Sequence, residues 1–221
     1  MRLLLIRHGE TPENARGEIS SEYPGPGLTE MGERQAAAIP QALEDEPISA
    51  IYASTLVRTS ITATPLATRR GLPIQVVEGA QEIYAGVWEH RSDEEAFRGY
   101  LEPIVAWWHD RSVRIEGGED GHGFFARFDG AVERIVSQHS DDETVALFSH
   151  GAAIRVWSAG TAENLDEESS SGLRLDNTGM VVMEGSPSAG WRMTRWSGQP
   201  IGGAFLADGH PDPGGEGDIA D

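Results

Sequence analysis

Four short segments of the chain hold residues whose types and spacing suit phosphate chemistry. Arg7-His8-Gly9-Glu10-Thr11 follows a short apolar run, with Asn14 three positions further on. A guanidinium offers a fork of donors that matches phosphate oxygens, glycine lets backbone amides come close, and a neutral imidazole can attack phosphorus. An isolated Arg-His pair at a strand end is nevertheless more often structural, its ring bonded to the backbone. Ser54-Thr55-Leu56-Val57-Arg58-Thr59, followed by Thr62, sets Arg58 in the first turn or so of an expected helix. Free amides and the helix dipole favour an anion there. Ser149-His150-Gly151 supplies a second histidine at another strand end, and Glu82 to Glu89 brings a carboxyl group and aromatic residues to a loop containing Gly86. Taken singly, these read as a solvated arginine, a turn histidine and an ordinary loop glutamate.

Composition narrows the chemistry. There is no cysteine, which rules out disulfides, thiolate nucleophiles and cysteine-based zinc sites. Lysine is also absent, so all 17 basic side chains are arginine. A Schiff-base or Walker-type lysine is therefore impossible, and phosphate binding falls to arginine. The formal charge of −19 argues against nucleic acid or anionic membrane as partner, since both need basic excess. A phosphate site must then be a local Arg and His pocket within a repulsive field. No GxxxxGK[ST], GxGxxG or HExxH string occurs, and the seven histidines form no spaced metal set. No metal and no cofactor is expected.

The positioning elements follow from the apolar pattern. Residues 2–6, 48–54, 73–77 and 144–149 read as buried strands, and 29–43, 56–70, 93–111, 124–139 and 152–159 as helices. Thr29 is an N-cap candidate, Gly32 a mild weakness, and Pro65 is expected to bend or break its helix. Residues 180–183 and 191–196 read as an antiparallel pair joined through Gly185-Ser186-Pro187. Strands alternating with helices predict an α/β fold in three layers, with a mainly parallel central sheet and ligands at the carboxyl ends of its strands. Apolar residues make up 38% of the chain, and no stretch is long enough to span a bilayer. The run Leu3–Ile6 is too short for a signal peptide, which predicts a cytoplasmic location. One domain over 1–204 is expected, followed by a Gly/Asp/Pro-rich tail, 205–221, expected to be disordered and dispensable. No feature marks an oligomeric state.

Taken in order, the segments resemble the histidine phosphatase superfamily, also called the phosphoglycerate mutase-like family. The likeness spans about residues 2–200: the RHGET string, the first helix at Leu28-Thr29-Glu30-Met31-Gly32-Glu33-Arg34-Gln35-Ala36, the segment Ser54 to Thr62, the acid loop around Glu82, Gly86, Trp88 and Glu89, the GGE element Gly117-Gly118-Glu119, and Ser149-His150-Gly151. The resemblance implies a metal-independent phosphomonoesterase acting on a small phosphorylated metabolite. It implies that His8 attacks phosphorus and becomes phosphohistidine. Arg7, Arg58 and His150 would hold the phosphoryl group, and Glu82 would protonate the leaving oxygen and then activate water. Asn14, Ser20 and Gly151 are implied as substrate contacts.

Departures bear on the substrate. Many members carry a basic residue and then Gln-Gly after the Asn of the first loop, where this chain reads Ala15-Arg16-Gly17-Glu18-Ile19-Ser20-Ser21. Ser20 thus replaces the familiar amide. Asp120 stands where Ser is common after the GGE element, and His90 where Gly is common. A cofactor-dependent phosphoglycerate mutase is the nearest rival, but a first loop with Glu18, Glu22 and only Arg16 as base favours the phosphatase. A catalytically silent binding protein is the other reading, against which stands the presence of every implied reactive group. Residues 93–123 are expected to wall or cover the site. Tyr100, Trp107, Trp108, Arg111 and Arg114 there suit an aromatic or polyanionic ester, although such aromatics are more often core. His90, His109, His122, His139 and His210 are read as exposed loop residues.

Overall fold

The computed structural model of the chain describes residues 1–207 and 214–215. Six strands form one sheet: β1 (Arg2–Arg7), β2 (Ile48–Ala53), β3 (Ile74–Val76), β4 (Thr144–Ser149), β5 (Met180–Ser186) and β6 (Gly190–Ser197), in the spatial order β3-β2-β4-β1-β5-β6. β3, β2, β4 and β1 run parallel, while β5 pairs antiparallel with β1 and β6 with β5. The helices are α1 (Pro12–Ala15), α2 (Glu30–Ala42), α3 (Val57–Arg70), α4 (Glu94–Ala106), α5 (Gly121–Val136), α6 (Gly151–Thr161) and α7 (Glu167–Ser170).

The central strands are apolar throughout because both their faces are covered, and side chains alternate between faces along each strand. Leu3 and Leu5 of β1, Ala50 and Tyr52 of β2, and Val145 and Leu147 of β4 face a core completed by Tyr100, Ile104, Phe124, Phe128, Ile154 and Trp157 of α4, α5 and α6. Leu4, Ile6, Ile51, Ala53, Ala146 and Phe148 face the opposite core, with Ile39 of α2 and Ala63, Leu66 and Ala67 of α3. The three-layer α/β/α arrangement is therefore present, and the antiparallel pair at 180–197 extends one edge of the sheet. No helix among the described residues is long and apolar enough to cross a membrane.

Several local details differ from the sequence reading. Helix α3 runs unbroken through Pro65, because burial of Thr62, Ala63, Leu66 and Ala67 outweighs the loss of one backbone bond. Helix α4 ends at Ala106 rather than 111: Trp107 turns into the core, stacks on Phe124 and donates through Nε1 to the Val113 carbonyl at 2.8 Å. Thr29 does cap α2, accepting from Gly32 N. Gly32 is a close-approach position rather than a weakness, since a Cβ on Gly9 would lie 2.7 Å from the Gly32 carbonyl oxygen. The loop after β1 and the start of α2 touch backbone to backbone, which only glycine permits. His139 is largely buried, not exposed, with Nε2 at 3.1 Å from the Tyr52 hydroxyl and Nδ1 at 3.2 Å from Glu143. His90, His109 and His122 are exposed, and His210 lies outside the described residues.

The expected tail begins with residues seated on the domain: Leu206 is buried and its carbonyl accepts from Gln35 Nε2 at 2.9 Å. Gly215 accepts from Leu175 N at 2.9 Å. The rest of the tail, 208–213 and 216–221, lies outside the described residues.

Candidate active site

Strand register brings the scattered segments together. Arg7 pairs with Ser149 across β1 and β4, so the residues that follow, His8 and His150, leave adjacent strand ends side by side. His8 N donates to the Ser149 carbonyl and Ser54 N to the Phe148 carbonyl, both at 3.0 Å, which aligns the ends of β1, β4 and β2. The His8 and His150 rings stand edge to face with centroids 5.2 Å apart. Arg7, His8, Arg58 and His150 are each no more than 3% exposed.

Each buried group is held by specific partners. His8 Nδ1 lies 2.8 Å from the Gly9 carbonyl oxygen, a group that only accepts, so Nδ1 carries the proton and Nε2 keeps the lone pair. Burial, aided by the Arg58 and Arg7 guanidiniums, lowers the His8 pKa well below the usual imidazole value, so the ring is neutral. His150 is lowered likewise, first by burial and then by Arg58. Its Nε2 lies 2.7 Å from Ser54 Oγ, while its Nδ1 and Arg58 Nη1 are buried without a hydrogen-bond partner among the described residues. Burial pushes Arg58 down to about 10, which leaves it cationic at neutral pH. Two guanidiniums, two imidazoles and buried donors at one spot form a receptacle for an anion.

Glu82 sits at the amino end of α6, where Oε1 accepts from Ala153 N at 2.8 Å and Oε2 from Ala152 N at 3.2 Å. Burial is the larger influence and raises its pKa above the ordinary carboxylate value, against the pull of the Ile83 amide, Arg58, the Ala153 amide and Arg7. A carboxyl with a raised pKa keeps its proton to higher pH than an ordinary carboxylate.

The cavity that these groups line is small, about 20 Å³, and is bounded by Arg7, His8, Asn14, Ser20, Arg58, Glu82 and neighbouring residues. Of the residues implied by the resemblance, Arg7, His8, Asn14, Ser20, Arg58 and Glu82 border it, His150 stands behind His8 with its ring centroid 5.2 Å away, and Gly151 opens α6. A Cβ on Gly151 would lie 2.9 Å from Arg7 Nε, so its part is to let helix and guanidinium approach. Ser20 enters through its backbone, its carbonyl accepting from Arg58 Nη2 at 3.0 Å. Asn14 Oδ1 accepts from Thr11 N at 3.0 Å within the capping box of α1, which orients the amide.

Of the expected covering segment, Tyr100 is the only residue that borders this cavity among the described residues. Its hydroxyl donates to the Ile83 carbonyl at 3.2 Å. Trp107 and Trp108 instead border a separate cavity of about 250 Å³ between α4, α5 and α6.

Sequence reasoning missed three supports. Arg127 donates from Nη1 to the carbonyls of Gly79 and Gln81 and from Nη2 to that of Glu82, at 2.7, 2.8 and 2.9 Å, and its Nη2 pairs with Glu119 at 2.6 Å. Glu119 also accepts from Tyr84 N at 2.8 Å, so the ion pair clamps the acid loop on both sides of Glu82. Asn177 Nδ2 donates to the His8 carbonyl at 3.0 Å, from a turn in which Thr178 takes a φ of 59°, rare for a β-branched residue. Gly214 lines the cavity from the far carboxyl end. None of these has a local signal: an arginine in mid-helix, or a glycine in a polar tail, acquires its place only through long-range contacts.

Comparisons with known proteins identify the family. Residues 3–198 match the model of the histidine phosphatase superfamily (branch 1). The chain is 37% identical over 91% of its length to PE-PGRS family protein PE_PGRS11 of Mycobacterium tuberculosis, of which it spans 37%. It is 34% identical over 68% of its length to the adenosylcobalamin/alpha-ribazole phosphatase of Salmonella typhimurium, covering 74% of that protein. Its fold superposes with a TM-score of 0.76 on mycobacterial glucosyl-3-phosphoglycerate phosphatase in complex with VO3, at 26% identity and 90% and 99% coverage of the two chains. The chain belongs to the histidine phosphatase superfamily, branch 1, and is a phosphatase hydrolase.

Proposed function

We propose that the protein is a phosphomonoesterase that hydrolyses a small phosphorylated metabolite through a phosphohistidine on His8, without a metal. The observation that carries this reading is the fixed tautomer of His8: with Nδ1 spent on the Gly9 carbonyl, the unprotonated Nε2 is the available nucleophile, beside Arg7, Arg58 and His150. In the first step Nε2 attacks phosphorus and the ester P–O bond breaks. Glu82 gives its proton to the departing alkoxide, which leaves as an alcohol. In the second, Glu82 takes a proton from water as the water oxygen bonds to phosphorus and the P–N bond breaks, releasing inorganic phosphate and restoring both residues. Arg7 and Arg58 offset the charge on the equatorial oxygens. His150 joins them as a donor through Nδ1 when its Nε2 accepts from Ser54. Asn14, Ser20 and Gly151 shape the receptacle.

The test is turnover of p-nitrophenyl phosphate near pH 6 in EDTA, with an acid-labile, base-stable phosphoenzyme trapped from labelled substrate. Phosphate release with that label is expected. No turnover, on this ester or on a panel of sugar and acid phosphates, supports a silent binding protein instead.

The Arg127–Glu119 clamp leads to a further expectation. Arg127→Ala frees the acid loop, so kcat on an alkyl phosphate is expected to fall about tenfold or more, with a smaller fall on p-nitrophenyl phosphate, whose leaving group needs no proton. Arg127→Lys restores one donor but not the fork, and is expected to recover only part of the loss. Equal losses on both esters would mean that the clamp serves stability alone.

A further inference from the structure

The first-loop side of the cavity carries an acidic residue, Glu18. Glu18, Ile19 and Ser20 of the first loop border the cavity, and Glu18 is the charged residue among them. The one base of that loop, Arg16, is already engaged: Nε and Nη2 each donate to a Glu18 carboxylate oxygen at 2.8 Å, and Nη2 lies 3.5 Å from Glu13. Gly17, at a φ of 66°, makes the turn that folds the two side chains against each other. The loop is then pinned by Ile19 N donating to the Arg91 carbonyl and His90 N to that of Ile19, at 2.9 and 2.8 Å. His90 is exposed, with Nε2 3.6 Å from Glu22. Two carboxylates around one guanidinium leave this side of the mouth net negative. Arg7 and Arg58 lie deeper, where the phosphoryl group needs them.

Building on the phosphatase reading above, we infer that Glu18 sets substrate class: the leaving group carries no anion, and instead presents hydroxyl or ammonium donors to the Glu18 carboxylate. A second carboxylate or phosphate on the substrate would meet the Glu18 carboxylate where Arg16 is already paired with it, which is discrimination by repulsion. Polyhydroxylated or amino alcohol phosphates fit; phosphoglycerates and bisphosphates do not.

Glycerol 2-phosphate and 2-phosphoglycerate differ only by a carboxylate in place of a hydroxymethyl group, so their kcat/KM ratio isolates this effect. Where turnover is slow, their inhibition of p-nitrophenyl phosphate hydrolysis provides the same ratio. The wild-type protein is expected to prefer glycerol 2-phosphate by about tenfold, the size of a unit-charge interaction a few ångströms away in a partly solvated mouth. Added salt should shrink the preference. Glu18→Gln should bring the ratio close to one, and Glu18→Arg should invert it. Because a ratio is read, partial loss of folded protein in a variant cancels. A wild-type ratio near one, or a ratio unmoved by both substitutions while p-nitrophenyl phosphate is hydrolysed, overturns the role of Glu18 alone. Absence of turnover on all three esters overturns the phosphatase reading with it.

Discussion

Replacing His8 with alanine is expected to lower kcat on p-nitrophenyl phosphate by more than about a thousandfold and to eliminate the phosphoenzyme, while the thermal unfolding midpoint stays close to that of the wild type. The two parts have separate causes. The imidazole is the group whose lone pair is both unprotonated and directed away from the backbone, and neither guanidinium beside it can serve as a nucleophile. The ring contributes little else, since its Nδ1 bond is to the adjacent Gly9 carbonyl, and Asn177 and Thr178 hold the loop through the His8 main-chain oxygen, which alanine retains. A structural histidine would show the reverse: a lowered midpoint and activity that follows the folded fraction. Wild-type rates in the variant would remove His8 from the mechanism.

Glu82→Gln is expected to have the second largest effect, and one that depends on the ester. For an alkyl phosphate, the departing alkoxide needs its proton, and kcat should fall by about 10² to 10⁴. For p-nitrophenyl phosphate the first step proceeds without help, but hydrolysis of the phosphoenzyme still lacks its base. The variant should therefore release a burst of nitrophenol and accumulate phosphohistidine, measurable by rapid quench. The pH profile gives an independent reading. His8 must be neutral, and its pKa is lowered well below the usual imidazole value, so the acid limb lies far to the acid side. Glu82 must be protonated in the first step, and its pKa is raised above that of an ordinary carboxylate, so kcat/KM falls as pH rises through that raised value. The optimum lies between the two limbs. Glutamine does not titrate, so the alkaline limb that belongs to Glu82 should disappear in the variant, while any limb from ionisation of the substrate remains in both proteins. A profile identical in shape would assign the proton to another group.

Much of this site could be read from the chain because it is built at strand ends. A buried strand must end at polar residues, and Arg7-His8, Ser54 and Ser149-His150 are the polar residues at which three apolar runs stop. Arg58 follows from helix geometry in the same way, one position into α3. The supports that orient those groups could not be read in this way. Arg127 lies among helical residues whose visible signal is the apolar face carrying Phe124, Phe128 and Ile135, and its bonds to the acid loop span 45 to 48 positions of sequence. Trp107 and Trp108 suit a site wall by chemical type, but packing draws Trp107 onto Phe124, and Tyr100 borders the cavity with Glu82.

The sequence by itself determined the candidate reactive groups, the three layers and the Thr29 cap of α2, because side-chain periodicity, capping and chain reversal depend on residues a few positions apart. Tertiary structure alone decided that β1 lies between β4 and β5, which sets His8 against His150. It also decided that Gly32 admits the loop of Gly9 and that Ser20 serves through its carbonyl. Those outcomes rest on which buried surfaces and backbone groups find each other across the sheet. That choice is made by the whole core, not by any local string.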